Sequence, residues 1–420
     1  MRMMQVDDGL LQINVNSIVT NAPIQDARIQ ISYTGDPDTI LEEVTTDSSG
    51  QTEEVTLPAP PVEYSMEPEQ AEQPYSEYNL SITAPGFDRV LISGAEILSG
   101  ETAIQQVNML PAETEEGEPP EGADETIVIP AHTLFGEYPP KIPEEEIKPL
   151  NESGEIVLSR VVVPEFVVVH NSTPDDSTAT NYYVRYSDYI KNVASSEIYA
   201  TWPDATIRAN VLAIMSFTLN RVYTEWYRNQ GFNFTITNST AYDQKWIYGR
   251  NIYDSISRIV DEIFNNYLSR PGVSQPIFTQ YCDGERVTCP NWLSQWGSKS
   301  LGDQGYSAIE ILRYYYGSSI YINTAVGVSG VPSSWPGYNL SVGASGEKVQ
   351  QMQNQLNRIA QNYPRIPTIT PDGIYGNATA QAVRVFQEVF GLPVTGIVDF
   401  STWYKISQIY VAVSRIAEGS

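Results

Sequence analysis

Cysteine, histidine and long apolar runs are scarce in this 420-residue chain. Its two cysteines are too few for a framework of several disulfides. Its two histidines, His132 and His170, disfavour a histidine-rich zinc site, and we expect neither a metal nor another cofactor. The absence of any run of 18 apolar residues predicts no membrane span. The start of the chain shows no apolar segment after Arg2, so we expect no secretory signal.

Basic side chains are also few, and their shortage is concentrated in the first third of the chain. Residues 1–150 carry 29 acidic and 5 basic side chains, a net charge of −24. Residues 151–420 carry 22 acidic and 19 basic side chains, a net charge of −3. Neither part offers the basic surface that nucleic-acid binding requires, so we expect no nucleic-acid partner.

The patterning predicts a multidomain protein with an N-terminal β-sandwich, a central α+β domain and a small C-terminal three-helix domain. In residues 1–110, segments such as LLQINVNSIV and ARIQISYTG alternate apolar and polar residues, as half-buried strands do. The order of strand, DSSG turn, strand and APGF resembles the carboxypeptidase-regulatory-like sandwich, although an unrelated sandwich would show similar features. Residues 111–150 are rich in Glu and Pro and fit either a solvated spacer or a cleavable activation segment.

Residues 151–328 mix β-rich runs with four helical patterns. The first helix is SDYIKNVASSEIYA, and the second begins near Asp204 as its cap. The third and fourth are SISRIVDEIFNNYL and SAIEILRYYYG.

A lone acid, Glu197, stands in the stretch VASSEIYATWP among small and apolar residues. Helical spacing places it on one face with Val193, Ala194 and Ile198. A partly desolvated carboxyl has a raised pKa and can protonate a glycosidic oxygen as a general acid. Spacing alone favours the other interpretation, a surface glutamate beside an apolar stripe.

The sequence around Glu197 resembles the catalytic domain of the stage II sporulation protein D family. The matching segments are IKNVASSEIYATWPDATIRANVLAIMSFTLNRV, AYDQKWIYG and LSQWGSKSLGDQGYSAIEILRYYYG, in the family's order. The family are lytic transglycosylases of peptidoglycan. The resemblance implies that Glu197 protonates the glycosidic oxygen and then takes the proton of the muramic acid 6-hydroxyl. A single acid suffices because no water has to be activated, unlike in ordinary glycosidases.

The same resemblance gives four candidates for substrate binding. Gln244 and Gln295 lie within the family motifs, Asn210 lies on the second helix, and Tyr281 lies beside the cysteines. Both glutamines are equally compatible with satisfied amides in the core.

The chain also departs from the family pattern. Met215 stands where the family has an arginine, and Asp243 stands where it has a cysteine. The metal cluster of some members is therefore not expected here. Cys282 and Cys289 fit a local disulfide or free thiols, and we expect free thiols in a protein made in the cytosol.

Residues 338–420 resemble the peptidoglycan-binding domain found on wall hydrolases. The matching positions include Gly346, Val349, Gln353, Leu356, the DGIYG turn, Thr379, Ala382, Phe386, Gln387 and Gly396. The apolar positions form helical stripes typical of a core, and binding is expected near Asp372 and Tyr375.

The complete architecture resembles the clostridial spore cortex-lytic enzymes. That resemblance implies a zymogen activated by a subtilisin-like protease, with a cut between Lys148 and Val161. It also implies synthesis in the mother cell without a signal peptide, and location in the cortex and coat region of the spore. Two other functions stay open: a non-catalytic peptidoglycan-binding spore protein, and a zinc amidase of wall peptides, which the two histidines disfavour.

Overall fold

The computed structural model describes residues 7–68, 72–112, 124–132, 160–325, 327–328 and 336–415. Within these ranges, no helix is both long enough and apolar enough to cross a membrane.

The N-terminal region is built from strands in two sheets. The strands are β1 (Asp7–Ser17), β2 (Arg28–Tyr33), β3 (Asp36–Thr45), β4 (Val55–Ala59), β5 (Ser76–Thr83), β6 (Arg89–Ile97), β7 (Thr102–Met109) and β8 (Asp124–Val128). One sheet has the order β3-β2-β5-β6-β8, and the other contains β7-β1-β4. On β1, Leu11, Ile13 and Val15 are fully buried and share a core with Ile29 and Leu80 of the opposite sheet. The apolar–polar alternation thus gives each sheet one buried face.

The central region wraps shorter strands around helices. Its elements are β9 (Phe166–His170), β10 (Asn181–Arg185), α1 (Tyr186–Glu197), α2 (Asp204–Tyr223), β11 (Ile236–Thr237), β12 (Ile252–Tyr253), α3 (Asp254–Ile263), β13 (Asn266–Ser269), β14 (Tyr281–Cys282), β15 (Leu293–Ser294), α4 (Gln295–Asp303), α5 (Ala308–Tyr316) and β16 (Tyr321–Thr324). Most side chains of α2 are buried around its whole circumference, so α2 forms the centre of this region.

Three details of the central region differ from the sequence-based expectation. Asp204 is the first residue of α2, and its side chain makes no capping hydrogen bond. The third helix ends at Ile263, because Asn266–Ser269 pairs with Tyr321–Thr324 as an antiparallel strand. The SQWG segment opens a further helix, α4, in which Ser294 caps the backbone N–H of Gly297.

The C-terminal region consists of α6 (Glu347–Ala360), α7 (Asn377–Val389) and α8 (Phe400–Arg415). The predicted stripes are confirmed as core, since Val349, Met352, Leu356 and Phe386 are at most 1% exposed. Gly373, in the DGIYG turn, has a φ of +75°, which a glycine adopts without strain.

The three regions make direct contacts. Strand β12 of the central region pairs with β7, so the second sheet has the order β12-β7-β1-β4. The buried carboxylate of Glu96 on β6 forms an ion pair with the buried Arg250. At the C-terminal region, the Gln51 amide donates to the Val389 carbonyl over 2.8 Å.

The acidic linker is not a solvated spacer throughout. Residues 124–128 form β8, which pairs in parallel with β6, and His132 is buried.

The prediction of free thiols is wrong, because Cys282 and Cys289 are joined as a disulfide with their Cα atoms 5.7 Å apart.

Candidate active site

Glu197 is the last residue of α1 and is 5% exposed. Val193 and Ala194 on the preceding turn are fully buried, as the helical spacing predicts. The helix ends because Ile198 takes an extended backbone conformation. The carboxyl of Glu197 is therefore buried, and Glu197 is not a solvated surface residue.

Two donors hold the Glu197 carboxyl. The Tyr281 hydroxyl donates to Oε2 over 2.6 Å, and the backbone N–H of Lys245 donates to Oε1 over 2.7 Å. Burial raises the pKa of Tyr281 well above its ordinary value, and the charge of Glu197 raises it further. The phenol consequently keeps its proton at neutral pH and remains a donor.

Gln244 fixes Tyr281 in turn. Its Nε2 donates to the Tyr281 hydroxyl and to the Ile214 carbonyl, each over 3.1 Å. Its Oε1 accepts from the hydroxyls of Tyr189 over 3.0 Å and Thr218 over 2.8 Å. Every direction of this fully buried amide is engaged, so Gln244 positions the acid through Tyr281.

A buried ion pair supports the loop that carries Gln244 and Lys245. Asp243 Oδ1 accepts from Nε of Arg221 over 2.8 Å. Asp243 Oδ2 accepts from the hydroxyls of Tyr227, over 2.6 Å, and Thr237, over 2.8 Å. Asp243, which stands where the family has a cysteine, thus has a structural role, because it pairs with Arg221 and accepts hydrogen bonds from Tyr227 and Thr237.

Aromatic side chains lie beside the acid on the segment that follows it. The rings of Tyr199 and Trp202 pack with Trp296 of the SQWG motif, with a centroid distance of 4.9 Å between the two indoles. His132 of the linker packs against Tyr199 in a tilted arrangement with centroids 4.8 Å apart. The linker therefore contacts the segment that directly follows Glu197 in the chain.

The linker also reaches the loop that holds the acid. The Ala131 carbonyl accepts from Nζ of Lys245 over 3.3 Å, and the Pro130 carbonyl accepts from Arg250 over 2.8 Å. Burial lowers the pKa of the Lys245 ammonium to about 8, aided by the charge of Arg250 and opposed by Glu96 and Glu197.

The structure separates the four substrate-binding candidates. Tyr281 lies in the hydrogen-bond network of Glu197. Gln244 belongs to the same network, but its amide is fully buried and fully engaged, so it is a satisfied core amide and its assignment to substrate binding is corrected. Asn210 instead packs α2 against α4, because its Nδ2 donates to the Thr206 carbonyl and to the Ser298 hydroxyl. This use of both N–H groups corrects its assignment to substrate binding. Gln295 is buried at the start of α4, and its Oε1 has no hydrogen-bond partner among the described residues.

In the C-terminal region, Tyr375 is fully buried and its hydroxyl donates to the Gly396 carbonyl over 2.9 Å. It is a core residue, which corrects its assignment as an exposed ligand contact. Asp372 is exposed and accepts from the Ile374 N–H over 2.8 Å, and this bond lowers the pKa of its carboxyl.

Two further predictions concern metal binding and activation. Among the described residues, no three His, Cys, Asp or Glu side chains lie together as a metal site. The predicted activation region from Lys148 to Val161 lies outside the described residues, except for Arg160 and Val161, of which Val161 is buried.

Sequence reasoning missed Lys245, Tyr189 and the Arg221–Asp243 pair. Lys245 acts through its backbone N–H, which no side-chain pattern reveals.

Comparison with known families gives one match. Residues 345–406 match the family described as "Putative peptidoglycan binding domain". This match covers α6, α7 and the first part of α8 and supports the predicted domain there. A search of curated proteins finds no match.

Solved structures resemble parts of the chain. The crystal structure of a SleB N-terminal domain is 34% identical and covers 18% of this chain and 99% of its own, with a TM-score of 0.16. The Bacillus anthracis TIE protein is 19% identical over 25% of this chain and 17% of its own, with a TM-score of 0.19. Klebsiella pneumoniae 5-hydroxyisourate hydrolase is 14% identical over 25% of this chain and 92% of its own, with a TM-score of 0.16. Scores this low establish no common fold for the whole chain.

Proposed function

We propose that this chain is the zymogen of a peptidoglycan lytic transglycosylase that degrades spore cortex during germination. The observation that carries the proposal is the buried carboxyl of Glu197, held by Tyr281 and by the Lys245 N–H. Residues 345–406 match a peptidoglycan-binding family, and this match supports peptidoglycan as the polymer on which the enzyme acts.

The reaction needs one acid that acts twice. Glu197 donates a proton to the oxygen between muramic acid and glucosamine as the bond from C1 to that oxygen breaks. The muramic 6-hydroxyl oxygen then bonds to C1, and its proton returns to Glu197. The product is a 1,6-anhydro-muramoyl end, no water is consumed, and the enzyme regains its starting protonation.

Tyr281 and Lys245 serve this cycle by orientation. Both donate to the carboxylate, so they stabilise the form that removes the proton of the 6-hydroxyl. Because Tyr281 is itself fixed by Gln244, the carboxyl keeps one direction while the sugar is bound.

The linker contacts support the zymogen part of the proposal. Residues 124–132 lie between β6 and the loop that holds Glu197, with Ala131 on Lys245 and His132 on Tyr199. A cut by a subtilisin-like protease between Lys148 and Val161 would free the downstream end of this segment and let it move away from Lys245 and Tyr199 while the N-terminal region stays bound. We propose that this movement exposes Glu197 to glycan. The same proposal includes synthesis in the mother cell and location in the spore.

Product analysis tests the chemistry. Purified spore-cortex peptidoglycan is incubated with the full-length chain, with the chain cut at a protease site engineered between Lys148 and Val161, and with the cut Glu197→Gln variant. Mass spectrometry should find anhydro-muropeptides only with the cut active form. The exposed substitution Gln304→Ala in the cut form serves as the matched control and should leave the products unchanged.

A non-catalytic peptidoglycan-binding spore protein is the second candidate, favoured by the small exposed fraction of Glu197. Intact cortex with all forms, together with retained binding, would select this second function. Peptides released without anhydro ends would instead indicate an amidase.

A further inference from the structure

A large cleft lies between the three regions. Strands β12, β7 and β1 form one wall. Tyr182, Trp246 and Tyr248 lie on the central region's wall, and Gln408 on α8 belongs to the third. Its volume is about 1220 Å³, larger than the roughly 300–1,000 Å³ of most small-ligand sites. Tyr248 and its neighbour Tyr183 are exposed, so the cleft opens to solvent. This is a different place from the Glu197 network.

The sheet presents a row of side-chain amides to this cleft. Gln12, Asn14 and Asn16 alternate with core residues along β1, and Gln106 and Asn108 do so along β7. The parallel register places Asn14 beside Gln106 and Asn16 beside Asn108. Asparagine is disfavoured in strands, so strand propensity does not explain this row.

Charge is balanced in the cleft although the N-terminal region is strongly acidic. As many basic as acidic side chains line the cleft. The amide row itself is neutral, and each amide offers both donors and an acceptor. Such a wall matches sugar hydroxyls and acetamido groups, and it favours a neutral ligand over a polyanion or polycation.

The opposite wall provides aromatic surface. The Tyr182 ring lies 5.3 Å from Trp246 and 5.0 Å from Tyr248, measured between centroids. These rings offer flat apolar area facing a polar wall. The combination suits a pyranose, which has apolar C–H faces and a polar edge.

Each of the three regions also contributes a buried polar atom without a protein partner. These atoms are Asn14 Oδ1, Trp246 Nε1 and Gln408 Nε2, none of which has a hydrogen-bond partner among the described residues. Trp246 and Gln408 are each 5% exposed. Buried polar groups are normally hydrogen-bonded, so two donors and one acceptor on residues that line this cleft are left unsatisfied among the described residues.

We propose that this cleft binds a short segment of a neutral N-acetylated glycan, with the amide row on the polar edge and the aromatic wall on the sugar faces. The inference rests on the proposed function for the polymer that the protein meets, and not on catalysis by Glu197. It assigns glycan binding to the N-terminal region as well as to the C-terminal one.

Calorimetry with the N-acetylglucosamine hexamer tests this site in the full-length Glu197→Gln chain, which prevents turnover. The double variant Asn14→Ala/Gln106→Ala should raise Kd about tenfold, because it removes two amide contacts. The matched double variant Gln30→Ala/Asn79→Ala changes amides on β2 and β5, outside the cleft, and should bind as the parent does. Trp246→Phe keeps a ring and removes the N–H, and it should weaken binding about threefold.

Thermal unfolding checks that each variant folds. If the double variant is unfolded, the exposed Asn108→Ala change gives the same reading. A parent chain that does not bind the hexamer, or cleft variants that bind as tightly as the parent, would overturn the proposal. The second result would place glycan binding in the C-terminal region alone. Weakened binding of the cleft variants, together with an absence of anhydro products from the cut chain that retains Glu197, would retain this site and reject the transglycosylase.

Discussion

The Tyr281 hydroxyl donates a 2.6 Å hydrogen bond to Glu197 Oε2 and accepts a 3.1 Å hydrogen bond from Gln244. These two contacts link Tyr281 to two residues that lie 84 and 37 positions before it along the chain. An acid at the end of a helix is thereby given a fixed direction by a strand and a loop.

Replacing Tyr281 with phenylalanine should separate positioning from binding. Loss of the hydrogen bond to Glu197 should lower kcat of the cut enzyme about 10- to 100-fold, with KM little changed. The rate of anhydro-muropeptide release measures the effect. Tyr314→Phe, on a 69% exposed side chain, is the matched control. An unchanged rate for Tyr281→Phe would remove Tyr281 from the mechanism.

The Arg221–Asp243 pair should be a major contributor to stability. Asp243→Asn leaves the buried Arg221 charge uncompensated, which should cost about 3–5 kcal/mol of unfolding free energy. Urea denaturation measures the loss. Asp204→Asn removes the exposed 3.3 Å contact to Arg208 and should cost less than about 1 kcal/mol. Equal losses from the two substitutions would contradict this account of the loop.

The contact around His132 should weaken on acidification. Burial lowers the pKa of His132 below its ordinary 6.5, despite the neighbouring Glu96. The folded protein then holds fewer protons than the unfolded chain just below pH 6.5, so stability falls as the pH drops through this value. Burial by itself would raise the pKa of Glu96, but Arg250 and His132 outweigh burial and lower that pKa. Protonation of Glu96 at lower pH therefore causes a further loss of stability.

Thermal unfolding at pH 7.5 and pH 5.5 measures this dependence. The parent should lose about 1 kcal/mol over the interval, and His132→Gln should lose less. Tyr75→Phe removes the 2.9 Å hydrogen bond that the backbone N–H of His132 donates to the Tyr75 hydroxyl. This variant should be less stable than the parent at both pH values, but its stability should change with pH as the parent's does. A His132→Gln variant with the parental slope would assign the titration to another group.

A cut between Lys148 and Val161 should leave the N-terminal region bound. Strand β7 pairs with β12, and Glu96 shares a buried ion pair with Arg250, so separation would break a sheet and expose both charges. Gel filtration of the cut protein should give one peak that contains both fragments, and urea should separate them. Two peaks without denaturant would contradict the shared sheet.

Salt should strengthen binding of the full-length chain to cortex peptidoglycan. Residues 1–150 carry a net charge of −24, and the wall polymer carries carboxylates, so screening reduces their repulsion. Sedimentation of protein with cortex at increasing ionic strength measures the bound fraction. An absence of any salt effect would reject electrostatic repulsion between the N-terminal region and the wall polymer.

Local patterns predicted the elements whose periodicity is simple. The strand alternation in LLQINVNSIV and the helical stripe of Val349, Met352 and Leu356 both correspond to buried faces. The end of the third helix was missed because Asn266–Ser269 becomes a strand only by pairing with a segment more than fifty residues away. Burial of Tyr375 was missed because a turn motif does not show which side chains point inward.

The sequence by itself determined the acidic character of residues 1–150, the scarcity of metal ligands, the candidate acid Glu197 and the C-terminal domain. Each of these follows from composition or from a local motif. Only the tertiary structure decided what surrounds Glu197, which amides serve the core, and how the linker meets the loop at Lys245. The reason is physical: hydrogen bonds between distant segments and burial of charge depend on how elements pack, and local patterns carry no record of that packing.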